Sequence, residues 1–286
     1  MKARVDKFRI LPLVIFLVGL FVCSYPFVSN IIQRQYQKDA VATYMKAVDG
    51  AGVVSVETSL NNAHEYNDRL YQTNGLVVGT SNNGILSDEN YNSLLNISGD
   101  GTMGSIEIPK INVNLPIYHG ISDEVLAIGV GHVQDTSLPI GGINTRAVLS
   151  AHRGLPNSKL FTRLDEMEKG DLFFIRVLDD TLAYEVVDVD VIDPDDVEKL
   201  SILPERDLVT LLTCTPYGIN THRLIVTGER VEFEKATYNS IKGEMMSFRE
   251  LAFTFAPFVF LVLGVVTFFK PKKHKDKINT RTDGGR

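Results

Sequence analysis

Two uncharged apolar runs near the ends of the chain limit what lies between them to one domain of ordinary size. The first is ILPLVIFLVGLFVCSYPFV, residues 10–28, preceded by Lys2, Arg4, Lys7 and Arg9; the second is LAFTFAPFVFLVLGVVTFF, residues 251–269, followed at once by KPKKHKDK. About 20 apolar residues match the hydrocarbon thickness of a bilayer. Basic residues on the outer flank of both runs predict two transmembrane helices, with both tails cytoplasmic and residues 33–250 across the membrane. The bulky residues of CSYPFVSNII leave no small-x-small cleavage site, which favours a retained anchor over a removed signal peptide.

Charge agrees with that layout. Of 29 Lys+Arg and 35 Asp+Glu, residues 1–9 and 270–286 hold 11 and 3, so the remainder carries 18 against 32 and a net charge of −14. An acidic external domain argues against nucleic acid as a partner. The two cysteines, Cys23 inside the first run and Cys214 far along the chain, are not placed to form a disulfide. Cys214 is then an unpaired thiol in an exported domain.

Residues 1–9 read as a cytoplasmic tail, 10–30 as a signal anchor and 31–73 as a helical stem of two helices broken at Gly50 and Gly52. Residues 74–101, rich in Gly, Asn and Ser, read as a long mobile loop. From there to residue 235 the pattern changes to short strands punctuated by Gly and Pro: GSIEIPKI, VNLPIYHG, RAVLSAH, DLFFIRVL, LAYEVVDVDVI, DLVTLLTC and HRLIVTGERVEF. Brief helical patches stand at SDEVLAIG and SKLFTRLDEM. Seven or eight such strands predict a mainly β fold, a closed barrel at 102–235. A juxtamembrane segment at 236–250, the second span at 251–269 and a basic tail at 270–286 complete the plan.

Cys214 ends the strand DLVTLLTC, where a rigid scaffold would hold a nucleophile within reach of substrate. A small buried residue fits the pattern equally well, and both readings stay open on pattern alone. Thiol chemistry needs a thiolate, hence a nearby proton acceptor or positive charge. His64 falls on a stem helix and His274 in the tail, leaving His119, His132, His152 and His222 as candidates. His152 ends the strand RAVLSAH, a placement like that of Cys214. His222 and Arg223 are neighbours on the returning strand, so their side chains point to opposite faces. The short turn TPYGIN makes a hairpin and puts Arg223 within one or two residue pairs of Cys214. A guanidinium there would favour the thiolate and donate to an oxyanion, although a surface ion pair is the ordinary role of such an arginine.

TLLTC ending a strand, HRL opening the next and SAHRG well upstream resemble the sortases, membrane-anchored cysteine transpeptidases of Gram-positive bacteria. GSIEIPKINVNLPIYHG, GVGHVQDTSLPIGG, AHRGLPNSKLFTRLDEMEKGD and the stem pattern AHEYNDRL are most similar to the pilus-polymerising class C. The resemblance implies an eight-stranded barrel, Cys214 as nucleophile, His152 as general acid/base and Arg223 as the group steadying substrate and oxyanion. It implies cleavage of a Leu-Pro-x-Thr-Gly-like sorting signal between Thr and Gly, then transfer to a lysine of a pilin subunit at the membrane, with no metal or other cofactor. His132 reads as structural.

Class C enzymes usually carry a lid with an Asp-Pro-aromatic tripeptide. Here residues 74–101 have none; the chain's Asp-Pro, Asp193-Pro194, lies elsewhere. A plain solvated loop is the expectation, with Asp88 and Tyr91 as the residues that would have to imitate a plug. Two alternatives are a housekeeping sortase acting on cell-wall peptide and a non-catalytic, membrane-tethered peptide-binding scaffold. The stretch VIDPDDVEKLSILPERD is expected to form a groove wall.

Overall fold

A computed structural model describes residues 7–74, 90–241, 255 and 259–264. Helix α1 (Lys7–Gly50) runs unbroken for 44 residues, and α2 (Val53–Asn74) follows after a break at residues 51–52. The chain divides into two compact units, residues 1–24 with 248–286, and residues 25–247.

In the first unit Val14, Ile15, Val18, Phe21 and Val22 of α1 are exposed. Among the described residues no helix is long and apolar enough to cross a membrane. The side chains at 10–13, 16, 17 and 23, most of the expected second span, the 242–250 segment and the basic tail at 270–286 lie outside the described residues. The expected pair of transmembrane helices is therefore without support from what is described.

The second unit is built on eight strands: β1 (Thr102–Ile108), β2 (Val113–His119), β3 (Val130–His132), β4 (Thr145–Ser150), β5 (Leu172–Val177), β6 (Asp180–Ile192), β7 (Asp207–Thr215) and β8 (His222–Val231). They close into a barrel, as the strand pattern predicts, in the order β1-β2-β3-β4-β7-β8-β6-β5; the three-residue β3 is not among the runs read from the sequence. Between β2 and β3 stands α3 (Asp123–Ile128), whose first turn is capped by Ser122 accepting from the Val125 amide at 3.4 Å. A short α4 (Lys235–Ser240) follows β8. SKLFTRLDEM, expected to be helical, forms only a 3₁₀ turn at Leu164–Glu166. Phe161 and Leu164 are pulled into the core there, which overrides the local helical spacing.

Pairing is antiparallel except for β2–β3 and β4–β7. The parallel β4–β7 pair carries apolar side chains on both of its faces, as buried parallel strands do. Ala147, Leu149, Val209, Leu211 and Val226 point into the main core. Val148, Leu212 and Ile225 point outward and are covered by Ile192, Val197 and Leu200. At Gly228 of β8 a Cβ would lie 2.4 Å from Phe173, so only glycine lets the β6–β8 wall close over that ring.

The helices dock onto this barrel. Tyr44 of α1 is fully buried and its hydroxyl accepts from the Leu178 amide at 2.9 Å, while Gln37 donates to the Ile128 carbonyl and to Ser158. On α2, Ala63, Tyr66 and Leu70 recur at helical spacing and enter the core. Asn67 beside them both donates to the Leu138 carbonyl and accepts from its amide.

From Asn90 onward the chain departs from the solvated loop expected of it; residues 75–89, Asp88 among them, lie outside the described residues. Tyr91, Leu94 and Leu95 are buried because they fill the gap between α2 and the ends of β2 and β3. The Tyr91 hydroxyl lies 2.8 Å from His132 Nδ1 and accepts from the Gly120 amide at 3.1 Å. His119 presses its ring edge on Tyr91 and places both ring nitrogens against the carbonyls of Leu94 and Gly101. Tyr91 is thus held inside and is not available to plug a surface site.

His132, fully buried with Nε2 at 2.9 Å from the Ser137 carbonyl, is structural, as read from sequence. Burial pushes its pKa down to about 4, against the opposing effect of the Ser137 hydrogen bond. Between that value and the usual 6.5 the unfolded chain binds a proton that the folded chain refuses, so this contribution is present above 6.5 and lost as pH falls toward 4. The loss is on the order of 3 kcal/mol. Urea unfolding of wild type at pH 7 and pH 4.5 should show the fall, with a shallower slope in His132→Gln. Equal slopes would rule out His132 as its source.

Candidate active site

Cys214 is the penultimate residue of β7 and its half-buried thiol is free. It follows Thr210 and Leu212 on the outward face, while Val209, Leu211 and Thr213 face the core, the alternation read from the sequence. Beside β7 on one side lies β4, in parallel register up to Ser150 opposite Leu212. Two bonds carry the pairing further: the Ala151 amide donates to the Leu212 carbonyl at 3.1 Å, and Thr213 Oγ1 donates to the Ala151 carbonyl at 2.7 Å. The next step along each strand is His152 and Cys214. Sixty-two residues apart in the chain, they leave adjacent strand ends at the same level.

On the other side lies β8, antiparallel, with Arg223 directly opposite Cys214 and His222 opposite Thr215. Directly opposed residues share a face, so Arg223 stands beside the thiol and His222 does not. Among the described residues the Arg223 guanidinium donates to the carbonyls of Asn220 and His222, at 3.3 and 3.1 Å. No carboxylate among the described residues pairs with it. His222 is exposed and turns to Asp193, 3.4 Å from its Nε2. The three residues thus occupy neighbouring strand positions, Cys214 lying between the strand end that leads to His152 and an Arg223 with no carboxylate partner among the described residues.

The segment between β6 and β7 packs Val197 and Leu200 onto Leu212 and Ile225, on the face that carries Cys214. It covers that outer face, while its acidic residues Asp193 and Asp195 stay exposed. Arg153, not singled out from sequence, is buried directly after His152. It bonds Thr215 Oγ1 at 3.1 Å, Asp165 at 2.6 Å and lies 6.0 Å from the centre of the Tyr217 ring. Its one sequence signal is the HRG triplet, whose meaning depends on strand neighbours far away in the chain. Among the described residues no cluster of His, Cys, Asp or Glu is arranged to hold a metal.

Known proteins share this architecture. A Sortase domain model matches residues 106–231. The solved sortase C1 of Streptococcus agalactiae is 42% identical, with a TM-score of 0.65, over 68% of this chain and 100% of that one. The chain belongs to the sortase family. Streptococcus pneumoniae sortase C, whose structure is described as informing catalysis and pilin substrate specificity, is 34% identical with a TM-score of 0.59 over 68% of this chain and 97% of its own. Sortase D of Bacillus subtilis is 37% identical over 131 residues, 45% of this chain; the chain spans 63% of that relative's length. The solved neighbours named here are thus class C sortases, and the site lies within the matched domain.

Proposed function

We propose that this sortase is a cysteine transpeptidase that cuts a Leu-Pro-x-Thr-Gly-like signal between Thr and Gly and joins the Thr acyl group to a lysine amine of a pilin subunit. The observation that carries the proposal is the placement of Cys214 between the strand end leading to His152 and an Arg223 free of any carboxylate among the described residues. In this reading the Cys214 thiolate attacks the Thr carbonyl carbon, and the Arg223 guanidinium donates to the oxyanion that forms. The C–N bond to Gly breaks as His152 gives a proton to the leaving amine. The lysine amine then attacks the thioester, His152 takes its proton, and the thiolate leaves.

The likeness to the class C structures favours a pilin acceptor over a cell-wall peptide. The intact Cys, His and Arg set speaks against a scaffold that only binds. The exposed Val14, Ile15, Val18, Phe21 and Val22 of α1 suit an anchored chain, since a soluble surface rarely leaves such apolar side chains together in water. In the proposed topology two spans, at 10–30 and 251–269, keep both tails cytoplasmic and the barrel on the extracellular face.

Full-length protein in detergent, mixed with a pilin subunit bearing its signal and lysine, should give a ladder of polymers that survives denaturant. Attachment to wall-peptide amines but never to pilin lysine would move the assignment to the housekeeping role. No thioacyl adduct with any sorting peptide would leave only the scaffold.

A further inference from the structure

We infer that Arg153 is a positioning residue that sets His152 against Cys214; the inference rests on the thiol-transfer reading above. The β4–β7 pairing ends with the bonds at Ala151 and Thr213. Beyond it, His152 enters a loop whose own backbone contact leads elsewhere, its carbonyl accepting from the Phe161 amide at 3.2 Å. Among the described hydrogen bonds, the one that reconnects this loop to β7 past Thr213 runs from Arg153 Nη1 to Thr215 Oγ1 at 3.1 Å. Arg153 directly follows His152, and Thr215 directly follows Cys214. The bond therefore spans the pair from behind, one residue further along each strand.

The guanidinium that makes this bond is itself immobilised. Its side chain is 4% exposed, and Nη2 meets Asp165 at 2.6 Å. Its flat face lies 6.0 Å from the ring centre of Tyr217, on the β7–β8 turn. Tyr217 also covers Gly154, where a Cβ would lie 2.8 Å from the ring, and Gly154 has φ +81°, a conformation that suits glycine. The Gly154 amide is held in turn by Thr162 Oγ1 at 3.1 Å. One planar fork thus gathers the His152 loop, the Cys214 strand end, the turn leading to Arg223 and the segment carrying Asp165.

Burying a guanidinium is costly, and an apolar side chain of similar volume packs as well or better where only stability is at stake. The fixed fork geometry is what an arginine adds. Asp165 balances its charge, so its effect on the reaction is one of distance and angle rather than of field. A displacement of about 1 Å between reacting groups is enough to cost on the order of a hundredfold in rate.

The test uses full-length protein in detergent and a fluorogenic Leu-Pro-x-Thr-Gly peptide, with thermal unfolding followed in parallel. Thr215→Val removes the acceptor and keeps the shape; Thr215→Ser keeps the acceptor. Thr215→Val should lower kcat about tenfold or more with KM within about twofold. Thr215→Ser should recover to within about threefold of wild type. Arg153→Lys, which reaches one partner but not both, should fall with Thr215→Val, and the double variant Arg153→Lys/Thr215→Val should be no worse than either alone. Wild-type kcat in Thr215→Val, equal losses in the Val and Ser variants, or additive losses in the double variant would each overturn the proposal. The Thr215 pair decides the matter even if the arginine variant does not fold. Absence of a thioacyl adduct in wild type would instead sink the transpeptidase reading itself.

Discussion

Cys214→Ala is expected to abolish both the thioacyl adduct and the polymer ladder while the barrel stays folded. The thiol is half-buried at a strand end on the outward face, outside the packed interior that Leu211 and Val209 help to fill. Losing one sulfur there should change stability by no more than about 1 kcal/mol. The chemical loss is of another order, because no other cysteine is free among the described residues. Mass spectrometry of protein incubated with a sorting peptide reads the first loss, and a denaturing gel of the pilin reaction reads the second. An adduct persisting in Cys214→Ala would remove Cys214 from the nucleophile's role.

Arg223→Lys should come next in size, lowering kcat about 10²- to 10³-fold, the usual cost of removing one oxyanion donor. Lysine keeps the charge but not the fork, so a substitution that looks conservative is not so at a site opposite the thiol. Among the described residues Arg223 bonds two backbone carbonyls, and substituting a part-exposed side chain so lightly held should move stability by about 0.5 kcal/mol or less. Activity and stability are thus expected to separate at this position. Parallel losses of kcat and of thermal stability would show that Arg223 is a structural residue, and full activity in Arg223→Lys would exclude a directional donor.

Much of the site was legible because its signals are local. Period-two alternation in DLVTLLTC separates Cys214 from Val209, Leu211 and Thr213, and a short hairpin turn brings Arg223 within one or two residue pairs of it, with His222 then on the opposite face. That logic sets His222 aside, and the register bears it out, since His222 stands opposite Thr215. Tyr91 escaped the same reasoning. It follows a Gly- and Asn-rich stretch that reads as solvated, yet it is buried because His119, His132 and Gly120 offer its hydroxyl and ring a closed set of partners. None of those partners is near it in sequence.

By itself the sequence determined seven of the eight strands, the barrel class, the break between α1 and α2 and the pairing of Cys214 with the HRL strand, because periodicity and turn chemistry act over a few residues; His152 came from the family resemblance. Only the tertiary structure decided that β4 and β7 run parallel, which brings His152 level with Cys214 across 62 residues of chain. It alone showed Arg223 opposite the thiol without a carboxylate partner among the described residues, and Arg153 bonded behind the pair. The physical reason is the same in each case: strand direction, burial and the partner of a charged side chain depend on which distant segments the closed barrel brings together.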